Sequence, residues 1–447
     1  FDPSFHRQCD ANPHATWNVR FVIREMPFLL MHAALRDAVD GVKYGSLPRG
    51  LLFPTPPPHT SRESIEAATR PPDWYNRDLN SEQKLAVRGA LAASPSNGPY
   101  VVFGPPGTGK TSVVVEYVLQ VLSTARRSGG ACRILVAAPS NSATDLLATR
   151  LLEKGHVQTS ELLRVNAFSR PFKAGTERIS PLIDAVSEFD NAAGGYTLPD
   201  ARKFDGSRVV AATLMSAGKL ARAGCTGSWY FTHVVIDEGG HAVEPEALCA
   251  VAHLLASTGQ LVLAGDHKQL GPVLRSEAAV VGGLRVSYLE RLMGEAAYQP
   301  TPGCDPEHNP AVVTMLTKNY RSHPKLLELP SILFYRTALL ACADRSITDG
   351  LLQFNKSLKN RNHPHQPSLI RNATEFPVLF HGIEGVDERE GSSPSWFNEM
   401  ECMQVWRYIE KLKEYRGHQV SDADIGVISP YHKQVQKIRN LLRNRAE

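Results

Sequence analysis

The stretch GPPGTGKT, residues 104–111, lies between the apolar run YVVF and the amphipathic window SVVVEYVLQVL. It constrains the fold more than any other feature. Gly104, Gly107 and Gly109 let the backbone wind tightly, so that successive N–H groups turn inward toward an anion. Pro105, Pro106 and Thr108 complete the loop, and the helix that follows adds the positive end of its dipole. Lys110 brings a point charge suited to β and γ phosphates, and Thr111 offers a hydroxyl to a divalent metal. Such a loop needs a strand before it and a helix after it, which points to an α/β chain built on a parallel sheet.

The remainder of the chain carries the matching pattern. From Leu79, apolar runs of four to six residues alternate with helical windows: YVVF, RILVAAP, RVVAAT, HVVID and LVLAGD. Short uninterrupted Val- and Leu-rich runs are typical of parallel strands covered by helices on both faces. Before Leu79, residues 18–23 read as a strand and 29–39 as a helix, followed by proline-dense stretches at 54–60 and 70–73. We assign 1–78 to a small β-containing N-terminal module with a Pro-rich linker, and 79–275 to a first lobe with an insertion at about 150–205. Residues 276–310 read as a linker, and 311–447 as a second α/β lobe with strands at 376–383 and 424–430.

Composition narrows the class. The 447 residues, 42% hydrophobic, suffice for two or three domains, and the net charge of +4 permits nucleic-acid binding without requiring it. Seven cysteines are scattered with no C-x-x-C pair, a pattern of reduced thiols rather than a disulfide framework or zinc site. No apolar run is long enough for a membrane span, and no signal-peptide pattern opens the chain. Because the first residue is Phe1, the sequence reads as a portion of a longer protein. His6, Cys9 and His14 lack metal-ligand spacing.

A phosphate loop needs a carboxylate at the end of a neighbouring strand. HVVIDEGG supplies Asp237 to hold Mg²⁺, and Glu238 to orient or deprotonate an attacking water. This pairing indicates a nucleoside triphosphatase. No Asn-Lys-x-Asp sequence follows, so ATP is expected over GTP.

Further segments occur in order: LNSEQKLAV, APSNSATDLL, ATLMSAG, DEGG, GDHKQLGPV and NYRSHP. Together they resemble the superfamily 1B, Upf-like helicases. The flanks WYNRDLNSEQ, FTHVVIDEGGHAVEPE, AGDHKQLGPVLRS and GVISPYHKQVQKIR resemble the Mov-type, Armitage-like RNA helicases of RNA silencing. The resemblance implies two RecA-like lobes, with ATP and Mg²⁺ as cofactors and single-stranded RNA as partner. It implies that Gln83 reads the adenine edge, Tyr320 stacks on adenine, Gln269 senses the γ-phosphate and Arg321 acts as an arginine finger. Pro139, Ser140, Asn141, Thr213, Pro430 and Tyr431 fall where the family contacts RNA, although Ser and Thr after a strand also cap the next helix.

The resemblance further implies 5′-to-3′ movement, silencing or ribonucleoprotein partners and a cytoplasmic setting, ribonucleoprotein granules among the possibilities. Gly239 stands where the family usually has Ala, and the two motifs that usually follow SPY are not found before Glu447, so the second lobe is expected to be incomplete and weakly active by itself. The alternatives are a DNA helicase of the same superfamily and a non-catalytic RNA clamp. The clamp is disfavoured by the intact Lys110, Asp237 and Glu238.

Overall fold

The computed structural model of the chain describes residues 25–69, 73–168, 170, 180–190, 194–224, 230–300, 308–352, 354, 376–391, 394–415, 417 and 419–446. It divides into two compact units, Phe1–Phe103 with Thr111–Met315, and Gly104–Lys110 with Leu316–Glu447.

The first unit is organised by one sheet. Its strands are β1 (Tyr100–Phe103), β2 (Ile134–Ala138), β3 (Leu162–Val165), β6 (Val209–Thr213), β7 (Phe231–Ile236), β8 (Leu255–Gly265) and β9 (Val313–Met315). They lie in the order β3-β6-β2-β7-β8-β1-β9, each neighbouring pair parallel. A two-residue hairpin, β4 (Phe189–Asp190) with β5 (Gly195–Tyr196), stands apart from it. Every residue of β1, β2 and β3 is buried, because helices cover both faces. Close packing is visible at Gly89 in the helix Ser81–Ala92, where a Cβ would lie 2.1 Å from the Tyr100 hydroxyl. That hydroxyl is 2.7 Å from Thr314 Oγ1 of β9, a buried polar pair across the β1–β9 ladder. The parallel α/β class expected from the sequence is the class observed.

Two strands correct the sequence reading. β3 falls inside the stretch assigned to an insertion, yet it pairs with β6 at the sheet edge over Leu162–Val165. β9 falls beyond the boundary drawn at 310, yet its ladder runs Val101↔Val313 to Phe103↔Met315 in the first sheet. At the N-terminus, the described residues of the proposed module form helices, Met26–Lys43, Arg49–Leu52 and Arg62–Ala68. The strand expected at 18–23 lies outside the described residues.

The second unit carries the helices Pro324–Phe334, Glu399–Glu414 and His432–Ala446. Its described ladders are short: β10 (Lys318–Asn319) pairs in parallel with β11 (Leu340–Ala341), and β12 (Glu388–Arg389) pairs antiparallel with β13 (Trp396–Phe397). Gln434, buried, joins two of the helices: its Oε1 accepts the Asn398 N–H at 2.8 Å, and its Nε2 donates to the Asn398 carbonyl at 3.3 Å. The strands expected at 376–383 and 424–430 are not formed. Several of their apolar residues face solvent, with Phe380 90% and Ile428 96% exposed. A parallel strand exists only by pairing, and the described residues offer these segments no partner strand.

Candidate nucleotide and nucleic-acid site

In open parallel sheets, ligands bind outside the carboxyl ends of the strands. The motif residues of the first unit follow strands in this sense: Thr111 by way of the phosphate loop after β1, Pro139 and Ser140 after β2, Thr213 at the end of β6, Asp237 after β7 and Asp266 after β8.

Thr111 Oγ1 donates to Asp237 Oδ2 at 3.0 Å, and Asp237 is buried. A hydroxyl and a carboxylate, both oxygen donors, suit a hard divalent cation, so this pair fits the metal that such loops use. Glu238 has φ of 55°, a left-handed conformation that costs a non-glycine residue on the order of 1 kcal/mol. It is held there because its N–H donates to Asp237 Oδ1 at 2.9 Å and its carbonyl accepts the His241 N–H at 3.0 Å. The Glu238 carboxylate is about one third exposed and lies 3.6 Å from His241 Nδ1.

The segment after β8 packs on the segment after β7. The Gly239 N–H donates to the Ala264 carbonyl at 2.9 Å, and a Cβ on Gly240 would lie 2.8 Å from the Asp266 carbonyl oxygen. Asp266 Oδ2 accepts from Gln269 Nε2 at 2.8 Å, and Asp266 Oδ1 accepts from the Lys268 N–H at 2.9 Å. His267 packs at a tilt against Phe103 at the end of β1, ring centroids 4.8 Å apart, and burial pushes its pKa down to about 4. Asp266 thus orients Gln269, a role that the bare motif did not reveal.

Gln83 is the third residue of its helix and is buried. It forms a capping box: Asn80 Oδ1 accepts the Gln83 N–H, and Gln83 Oε1 accepts the Asn80 N–H, both at 2.9 Å. Ser140 and Thr213 also cap helices, accepting the N–H of Ala143 at 3.2 Å and of Ser216 at 3.3 Å. Pro139, Asn141 and Thr213 are partly exposed and Ser140 is exposed. Asn141 Oδ1 accepts from Arg164 at 3.1 Å. Arg164, with a 0% exposed side chain, also donates to Asp145 at 2.8 Å, and Arg170 donates to the other Asp145 oxygen at 2.5 Å. Asn141 therefore stands on a buried ionic network that its local sequence does not announce.

The second unit holds the phosphate loop proper with the NYR segment. Gly107 and Gly109 have φ of +80° and +87°, the left-handed values that glycine tolerates. A Cβ on Gly107 would lie 2.6 Å from Arg321 Cβ, and one on Gly104 would lie 2.6 Å from Thr108 Oγ1. Thr108 Oγ1 donates to the Pro105 carbonyl at 2.8 Å, and Lys110 Nζ donates to the Gly104 carbonyl at 2.8 Å. Asn319 Nδ2 donates to the Pro106 carbonyl at 2.5 Å, and the Tyr320 N–H donates to the Gly107 carbonyl at 2.9 Å. Asn319 Oδ1 accepts the N–H groups of Arg321 and Ser322 at 2.9 and 2.8 Å, which fixes the turn that presents Arg321. Asn319 was not singled out in the sequence, although it immediately precedes the Tyr-Arg pair. Tyr320 and Arg321 are exposed, as are Pro430 and Tyr431.

Two family models, both described as AAA domain, match the chain, one over 78–188 and 200–277, the other over 284–447. "RNA helicase Mov10l1" of Homo sapiens is 45% identical over 375 residues, 83% of this chain and 28% of that protein. "Putative helicase mov-10-B.1" of Danio rerio is 39% identical over 438 residues, 96% of this chain and 39% of that protein. "Probable RNA helicase armi" of Drosophila melanogaster is 30% identical over 468 residues, 99% of this chain and 37% of that protein. The chain thus spans well under half the length of each of these relatives. No helix among the described residues is long and apolar enough to cross a membrane.

Proposed function

Because this chain belongs to the superfamily 1B, Upf-like helicases, in the Mov-type and Armitage-like branch, we propose that it is the motor of an ATP-dependent RNA helicase. Membership brings the use of a nucleotide and a divalent metal in general, and the binding of nucleic acid. The finer reading is ATP with Mg²⁺, single-stranded RNA as the track, movement from 5′ to 3′, and work in silencing or ribonucleoprotein remodelling in the cytoplasm.

The observation that carries the reading is the hydrogen bond from Thr111 to Asp237, which joins the end of the phosphate loop to the strand-end acid. In the proposed roles, Thr111 and Asp237 hold the metal and Lys110 binds the β and γ phosphates. When bound, Mg²⁺ supplies neutralisation of charge on the phosphate oxygens. Glu238 accepts the proton of the attacking water, and its left-handed backbone, tied to Asp237, supports a fixed aim for that carboxylate. Gln269 senses the γ-phosphate, oriented by Asp266. Arg321 stabilises charge developing on the transferred phosphoryl group, a role supported by the bonds that dock Asn319 and Tyr320 on the phosphate loop. Gln83 and Tyr320 take the adenine. Pro139, Ser140, Asn141, Thr213, Pro430 and Tyr431 take the RNA through its backbone, 2′-hydroxyls and stacked bases, contacts that carry little sequence information.

The test is Lys110→Ala in the complete protein, assayed on a duplex with a 5′ single-stranded tail. Unwinding should vanish while binding to single-stranded RNA persists; unwinding by this variant would overturn the proposal.

A further inference from the structure

The helix Lys110–Ser128 is packed through Val113, Val114, Tyr117, Val118, Val121 and Leu122, yet it also buries two polar side chains one turn apart. Glu116 and Gln120 are each 1% exposed. A carboxylate in such a place must be met by donors, or burial becomes prohibitive. The donors are backbone: Glu116 Oε1 accepts the Tyr75 N–H at 3.1 Å, and Oε2 accepts the Asn76 N–H at 2.8 Å. Gln120 Nε2 donates to Glu116 Oε1 at 2.8 Å and to the Asp73 carbonyl at 2.6 Å. The irregular segment 73–76 is therefore gripped at three backbone groups.

The same segment reaches the helix that carries Gln83. Trp74 lies beneath Lys84 and Arg88 of that helix, 5.7 and 5.6 Å from its ring centroid. Four residues past Asn76, Asn80 closes the capping box on Gln83. Hydrogen bonds, cation–ring contacts and four residues of chain thus link the helix that begins at the phosphate loop, through Glu116, to the amide assigned to the adenine edge.

We infer that Glu116 and Gln120 are positioning residues: their grip on 73–76 is a clamp that holds the helix carrying Gln83 in place for base readout, so that adenine contributes to binding only while the clamp is intact. This rests on the proposed reading of Gln83 as the adenine-contacting residue. Glu116→Gln replaces one of the two accepting oxygens with an amide that cannot accept.

The test compares binding of Mg-ATP and of Mg-tripolyphosphate, which has no base, by calorimetry on the complete protein. Loss of one hydrogen bond to a charged acceptor predicts about a tenfold fall in ATP affinity for E116Q. Tripolyphosphate affinity should be unchanged, and E116Q should add nothing once Gln83→Ala is present. An unchanged ratio between the two ligands, an equal fall for both, or additivity with Q83A would overturn the clamp while leaving the base reading intact. A wild-type protein that binds ATP no better than tripolyphosphate would overturn the base reading and the clamp with it. Should E116Q fail to fold, Trp74→Leu, at a half-buried position, must show the same selective loss; a normal ratio in that variant counts against the clamp.

Discussion

Glu238 sits in a conformation that its side chain disfavours, held by Asp237 on one side and His241 on the other. Two predictions separate backbone from chemistry there. Glu238→Gln should slow ATP hydrolysis by about 10²- to 10⁴-fold with nucleotide binding retained, as expected for loss of a general base. Glu238→Gly should be more stable than Glu238→Ala by about 1 kcal/mol in denaturant unfolding, since only glycine is at ease at positive φ; equal stabilities would refute the backbone conformation. Neither the strain nor its anchors were legible in DEGG. The acid pair itself was legible, because it ends an apolar strand. Gln269 was legible as a motif residue, whereas its orienting partner Asp266 required the fold, since their bond depends on how the turn after β8 closes.

At the scale of elements, uninterrupted aliphatic runs announced β1, β2, β6, β7 and β8. β3 was hidden by a charge: LLRV carries Arg164, which reads as a surface residue but is fully enclosed and paired with Asp145. The reverse happened at 376–383, where an apolar run reads as a strand that has no partner among the described residues. Ser140 and Thr213 show why single residues near a site are ambiguous, because each caps a helix and also falls where RNA contact is proposed. A cap tolerates glycine at a cost of a few tenths of a kcal/mol but loses about 1 kcal/mol with alanine. Thr213→Gly should therefore keep most of the stability and still weaken RNA binding in fluorescence anisotropy; unchanged RNA affinity would leave Thr213 a cap alone.

At the scale of the molecule, stability depends on titratable groups in and beside the large sheet. Burial lowers the His233 pKa from 6.5 to about 4 and raises that of Glu246 from 4.5 to about 7. His233 binds more protons unfolded than folded, so its contribution is present above pH 6.5 and lost as pH falls through about 4. Glu246 binds more protons folded, so its contribution is present below pH 4.5 and lost as pH rises through about 7. Glu246→Gln should thus stabilise the protein at pH 8, with the gain shrinking as pH falls toward 4.5 in thermal melts; a gain independent of pH would contradict the half-buried, uncompensated carboxylate.

The most direct measurement is steady-state ATP hydrolysis by the complete protein with matched single-stranded RNA and DNA side by side. The account predicts strong stimulation by RNA, much weaker stimulation by DNA, and no hydrolysis from Lys110→Ala. Equal stimulation by both strands, or turnover that survives loss of Lys110, would contradict it.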